Sequence, residues 1–161
     1  MKVEHKVSIK NNLFIKREQS LNDFSSIEHR LEFFSESHGK SWINDSKSTD
    51  IGATAFSLEN IDGPIIWIVG ETQQERDLDI IYDLVLSKVD EIIYYGSHET
   101  KLKYRFGSKV KYSQLLDIDS AVKMALKNQS NNISVLFSPA CSSVPNHENY
   151  KARGEYFKNL I

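Results

Sequence analysis

The sequence predicts an α/β domain on a parallel or mostly parallel sheet, and three observations carry that expectation. Apolar runs at Ile65–Val69, Glu91-Ile-Ile-Tyr-Tyr95 and Ile133-Ser-Val-Leu-Phe137 read as buried strands, the first of them covered on both faces. Stretches with helical periodicity alternate with these runs, the chain order of parallel strands joined by crossover helices. The strands ending at Ile43 and Phe137 each pass directly into a cluster of small polar and charged residues. In α/β domains such strand ends lie at one rim of the sheet, where ligands bind.

The elements follow in order. Residues 1–20 are polar and basic apart from Asn12-Leu-Phe-Ile-Lys16, a possible short strand, and read as an extension or the remnant of something longer. The domain is expected over residues 21–161, beginning with a short helical or turn segment at Leu21–Glu28. Arg30 to Ser37 and Lys40 to Asp45 flank Ser37-His-Gly39 and predict an antiparallel hairpin with Gly39 in the turn. Thr49 or Asp50 can cap a helix to about Glu59, which Asp62-Gly-Pro64 breaks. After the strand at Pro64–Val69, Leu78, Ile81, Leu84 and Val85 form one stripe of a helix from Asp77 to Lys88. Gly96 ends the strand Glu91–Tyr95; a helix at His98–Phe106, an edge strand at Lys109–Tyr112 and a helix at Ile118–Asn128 come next. The strand Ile133–Phe137 and a closing helix at Asn149–Leu160, opened by Asn146-His-Glu148, complete the pattern.

Composition narrows the function classes. A chain of 161 residues supports one domain with a real core. Twenty basic against 22 acidic residues give −2, so no general field attracts nucleic acid or an anionic membrane, and neither is expected as a partner. The longest apolar run, Ile65–Val69, is too short for a membrane span, and Met1-Lys-Val-Glu-His5 lacks a signal-peptide core. The single Cys141 excludes an internal disulfide, and a cytoplasmic location is the default expectation.

Two clusters carry the chemistry. Asn44, Asp45, Ser46, Lys47 and Thr49 lie where a strand gives way to a helix, a junction that offers backbone N–H groups and a positive dipole end to an anion. The plainer alternative is a helix cap with a solvated lysine, and Asp45 could simply bond its own backbone. Ser138-Pro-Ala-Cys-Ser-Ser143 brings hydroxyls and a thiol to the other strand end, or is merely a polar loop with Cys141 as a small filler. No base stands near Cys141 in sequence, which argues against a thiol nucleophile. Arg30 is either a surface arginine or a bidentate phosphate clamp. Gly39-Lys-Ser41 mimics the tail of a P-loop, but Phe34 stands where the motif needs glycine. The five histidines are scattered without metal-ligand spacing, so no metal site is expected. Trp42, Trp67, Tyr94 and Tyr95 sit inside strands as core.

Glu28-His-Arg-Leu-Glu32, Trp42-Ile-Asn-Asp-Ser-Lys-Ser-Thr49, Ser138-Pro-Ala-Cys-Ser-Ser143 and Asn149-Tyr-Lys-Ala-Arg-Gly154 together closely resemble the C-terminal domain of the Mur ligases, in particular their D-glutamate-adding branch. The resemblance spans roughly residues 20–161. It implies a Rossmann-like three-layer sandwich that closes over an ATPase domain, in enzymes where ATP phosphorylates a carboxylate and an amino acid attacks the acyl phosphate. By matching position it implies nucleotide contacts for Arg30 and Asp45. It likewise implies D-glutamate or phosphate contacts for Lys47, Thr49, Ser143, the backbone of Val144 and Tyr150, and no catalytic residue within this stretch.

Two departures shape the functional expectation. The sequence has no P-loop and no uridine-nucleotide or central domain, so ATP and Mg²⁺ are expected only in a complete ligase. The loop Gly70-Glu-Thr-Gln-Gln-Glu-Arg76 has Gln73 or Gln74 where the family pattern carries a lysine. The leading expectation is an amino-acid-binding ligase domain, inactive alone, partnered by the missing domains or a companion protein. The alternative is a stand-alone, catalytically degenerate module with a binding or regulatory role. An independent small enzyme lacks an evident base, nucleophile or metal.

Overall fold

The structure, a computed structural model, describes residues 28–161. The expected extension at 1–20 with its possible strand, and residues 21–27 of the expected helical or turn segment, lie outside the described residues. Strands β1 (Glu32–Ser37) and β2 (Lys40–Asn44) form the predicted hairpin. His38 and Gly39 both adopt positive φ, 54° and 70°, the conformation that tight hairpin turns require. A Cβ on Gly39 would also lie 2.3 Å from Asn131 Oδ1, so glycine is demanded there twice over.

Helix α1 (Ile51–Asn60) is capped by Asp50, whose carboxylate accepts from Ala53 N–H at 2.9 Å; Thr49 stands outside the cap. Strand β3 (Ile65–Gly70) follows. The single helix expected over 77–88 is two pieces, a 3-10 turn (Leu78–Ile81) and helix α2 (Tyr82–Lys88). Leu78, Ile81 and Val85 are buried as the stripe predicts, with Leu84 packed at its margin. Strand β4 (Val89–Tyr95) leads to helix α3 (Lys101–Phe106), which starts later than expected because Thr100, not His98, accepts the capping hydrogen bond. Strand β5 (Lys111–Leu115) lies at the sheet edge, two residues beyond its expected start. Helix α4 (Ile118–Lys127), strand β6 (Ile133–Phe137) and helix α5 (Tyr150–Lys158) complete the domain. Asn146-His-Glu148 is not helical: Asn149 makes the cap, accepting from Ala152 N–H at 2.9 Å.

The six strands form one sheet in the order β1-β2-β6-β3-β4-β5, with β1 antiparallel and every other neighbouring pair parallel. Alternation along the strands divides the core in two. Ile65, Trp67, Val69 and Ile92 point to the face covered by α1, α2 and α3. Ile66, Ile68, Ile93 and Val135 point to the other face, against α4 and α5 through Val122 and Phe157. This is the expected three-layer α/β sandwich. Strand β3 is buried along its whole length, which explains its unbroken apolar run. Lys88 fastens the far end of α1, its ammonium donating to the carbonyls of Leu58, Glu59 and Ile61 at 2.8 Å each. Among the described residues no helix is long and apolar enough to cross a membrane.

Candidate ligand site at the sheet rim

The sheet order makes β2 and β6 parallel neighbours with Asn44 opposite Phe137, so the two polar clusters leave the sheet side by side. Asp45 N–H donates to Phe137 O at 2.8 Å and Ala140 N–H to Ser48 O at 3.0 Å, which knits the two loops together. Between them lies a buried polar hub. Asp45 is fully buried, and its Oδ2 accepts from Ser48 Oγ (2.5 Å), Ser57 Oγ (2.6 Å) and Ser138 Oγ (2.8 Å). Its Oδ1 accepts from Leu31 N–H at 3.2 Å. Because Ser138 spends its proton on Asp45, the 2.8 Å contact to Thr54 Oγ1 is a bond that Thr54 donates. Burial pushes the Asp45 carboxyl above its ordinary value, and the four donors oppose that shift. The carboxylate therefore organises the loop from beneath, and its oxygens are engaged inside the domain.

Helix α5 supplies the second tie. Arg153 is 1% exposed, and its guanidinium donates to Ser46 O (2.8 Å) on one loop and Cys141 O (2.9 Å) on the other. One buried cation thus sets the spacing of both loops. Its Nε is buried without a partner among the described residues. At Gly154 a Cβ would sit 2.3 Å from His29 Nδ1 and 2.4 Å from Ser46 Oγ, so glycine lets α5 abut the loop. Arg76 performs a related task from the β3 loop. It donates to Gly70 O (2.5 Å) and Ala140 O (2.9 Å), and the same burial lowers its pKa.

The expected ligand groups fall around this frame. Lys47 is partly exposed, lies 5.8 Å from the centre of the Tyr150 ring, and has no ion pair among the described residues. Thr49 is exposed beside it. Arg30 is partly exposed and likewise without an ion-pair partner among the described residues. Tyr150 also meets His29 edge-on at 6.2 Å. Ser143 and Val144 stand apart from Lys47, lining a cleft of about 970 Å³ at the carboxyl ends of β3, β4 and β6. The N–H of Val144 donates to Ser142 Oγ at 3.2 Å, whereas the Ser143 hydroxyl, in a residue 7% exposed, has no partner among the described residues. Gln73 and Gln74 reach the same cleft from the β3 loop.

Three groups that sequence spacing did not connect also meet. Glu28, His29 and Glu155 bring ligand atoms within 4.8 Å of one another. Asn44 Oδ1 accepts from Ser46 N–H, which turns its amide nitrogen toward His29 Nδ1 at 3.0 Å and makes that nitrogen an acceptor. The ring proton then sits on Nε2, facing the carboxylates. The Lys158 ammonium already joins the cluster, 2.7 Å from Glu155 and 3.0 Å from Glu32. Burial raises the Glu32 carboxyl, but Lys158, His29 N–H and Asn44 outweigh it and hold the group below its ordinary range.

No protein-family model matches the chain. Individual relatives do. A UDP-N-acetylmuramoylalanine–D-glutamate ligase of Porphyromonas gingivalis is 37% identical over 144 residues, 89% of this chain and 32% of that protein. The enzyme of the same name from Chlorobium phaeobacteroides is 34% identical over 143 residues, 89% of this chain and 31% of its own length. Over 89% of its length the chain is thus similar to part of a Mur ligase. It spans about a third of the length of the curated relatives it matches. Solved structures agree on the fold: a murein peptide ligase of Psychrobacter arcticus (TM-score 0.57, 10% identity) and a folylpolyglutamate synthase/dihydrofolate synthase of Yersinia pestis (0.56, 14%). Each is matched over 83% of this chain, and over 30% and 31% of its own. Within this domain, Arg153 and Arg76 are the residues whose work escapes sequence reading. Their partners are backbone carbonyls, which leave no trace in residue types.

Proposed function

We propose that this chain is the C-terminal, amino-acid-binding domain of a D-glutamate-adding type of Mur ligase, working in ATP-dependent amide-bond formation on a peptidoglycan precursor in the bacterial cytoplasm. The observation that carries the reading is the pair of strand-end loops, locked together by Asp45 and Arg153, that present Lys47, Thr49 and Ser143 at one rim. In this reading Lys47, Thr49, Tyr150, Ser143 and the backbone at Val144 meet the amino acid and the transferring phosphate. Arg30, partly exposed and without an ion-pair partner among the described residues, meets the nucleotide, with Asp45 holding the backbone behind it. Cations and hydroxyls at a rim suit carboxylate and phosphate oxygens, and an arginine suits a polyphosphate. ATP and Mg²⁺ belong to the complete ligase, because phosphoryl transfer needs a phosphate cradle that this sequence does not contain. The partners are accordingly the remaining ligase domains, or a companion protein that carries them.

A degenerate, non-catalytic paralogue acting as a binding module is the second reading, favoured by the exposed Gln73 and Gln74 in the cleft. An NMR titration of the labelled chain with D-glutamate, L-glutamate and ATP separates the two. Shifts at Lys47, Thr49, Ser143 and Tyr150, stronger for the D than the L enantiomer, with no Mg²⁺-dependent ATP turnover, are the expected result. Silence at those residues favours the binding module, and ATP hydrolysis by the pure chain overturns the domain reading.

A further inference from the structure

The cleft beside Ser143 has a charge character of its own. Its wall carries the carboxylates of Glu71, Asp117 and Asp119, contributed by the end of β3 and the start of α4. Glu71 accepts from Ser97 N–H at 2.8 Å and pairs with His98, and Asp117 caps α4 by accepting from Ser120 N–H at 2.8 Å. Asp119 accepts from Tyr156 O–H. At Glu71 and Asp117 the bonds favour the ionised form: burial raises the Glu71 carboxyl but Ser97 and His98 bring it below its ordinary value, and the Ser120 N–H lowers Asp117.

Among the described residues lining the cleft no free cation answers them. Arg153 reaches the cleft, but both terminal nitrogens are spent on Ser46 O and Cys141 O. His147 lines it too, and burial with the neighbouring Arg153 depresses its pKa, so the imidazole is neutral at pH 7. Gln73 and Gln74 contribute neutral amides. Ser143, more than nine-tenths buried as a residue, adds to this wall a hydroxyl with no protein partner among the described residues, free to bond a ligand. A ligand side chain ending in a second carboxylate would meet like charge and, among the described residues of this wall, no free ammonium or guanidinium.

Resting on the reading that this rim holds an amino acid, we infer that the cleft selects an amino acid whose side chain ends in a neutral amide or a cation, with Glu71, Asp117 and Gln74 as specificity determinants against a dicarboxylate. The lineage is that of D-glutamate enzymes, and the inference concerns which amine this particular cleft accepts.

The test is an NMR titration of the full 161-residue chain with D-glutamate, D-glutamine and D-lysine, read at Ser143 and Gln74 and repeated at high salt. D-Glutamine and D-lysine are expected to bind at least roughly fivefold tighter than D-glutamate. The lysine advantage should shrink as salt rises. Gln74→Lys, on an exposed loop residue, should recover D-glutamate binding and erase the preference. If D-glutamate binds the unmodified chain most tightly, the inference is overturned while the amino-acid-binding reading stands. If none of the three shifts Ser143, the reading itself fails and the inference falls with it.

Discussion

The loop that follows β2 and the loop that follows β3 reach the same rim and are built in opposite ways. Residues 45–50 are laced into the domain: Asp45, Ser46 and Ser48 are buried, and four donors converge on one carboxylate. Residues 71–77 lie largely in solvent, with Gln73, Gln74 and Glu75 exposed and Arg76 as the main anchor inward. A loop whose central carboxylate takes four internal donors tolerates few changes there, because each one strands a buried partner. A loop held at its two ends, by Glu71 on Ser97 and His98 and by Arg76, is free to change the exposed residues between them at little cost in stability. Geometry is thus fixed by the first loop, and the second is where selectivity can drift.

Removing the hub should give the largest effect. Asp45→Ala leaves three buried serine hydroxyls and Leu31 N–H without their acceptor. It should cost about 3–5 kcal/mol in urea unfolding of the domain. A loss under about 1 kcal/mol would show that the loop is not held from beneath, and the contrast between the two loops would disappear.

The next cut goes through the tie between the loops. Arg153→Met keeps most of the side-chain volume and removes the bonds to Ser46 O and Cys141 O. About 2–3 kcal/mol should be lost, less than at the hub because carbonyls facing a rim can recruit water. Amide shifts in a ¹⁵N spectrum should spread to both loops, 45–49 and 138–143. Changes confined to α5 would mean that the two loops are held independently of Arg153.

How much of this was legible depended on the range of the signal. The hairpin, α1 and β6 were readable because each is decided locally, by Gly39 in the turn, by a cap at Asp50 with a break at Asp62-Gly-Pro64, and by a buried run. The stripe at Leu78, Ile81 and Val85 could not reveal the 3-10 turn, since one turn of either helix puts nearly the same residues inside. Asn146-His-Glu148 has the composition of a helix start, but the capping bond falls at Asn149. The rim itself was foreshadowed by two polar clusters at strand ends. What the sequence could not show is long-range. Arg153 meets Ser46 across 107 positions through a backbone carbonyl, and the acidic cleft assembles Glu71 with Asp117 from separate strand ends.

The smallest expected effect sharpens the same contrast from inside the rigid loop. Lys47 shares its loop with Asp45 but has a partly exposed side chain, whose partner among the described residues is the Tyr150 ring at 5.8 Å. A cation over an aromatic ring at an exposed position contributes under about 1 kcal/mol. Its backbone N–H, which donates to His29 O at 3.0 Å, survives any side-chain change. Lys47→Ala should therefore shift unfolding by less than about 0.5 kcal/mol while weakening phosphate or carboxylate binding at the rim. A loss comparable to that of Asp45→Ala would make Lys47 part of the frame, and the division between residues that build the loop and residues that it presents would fail at its clearest case.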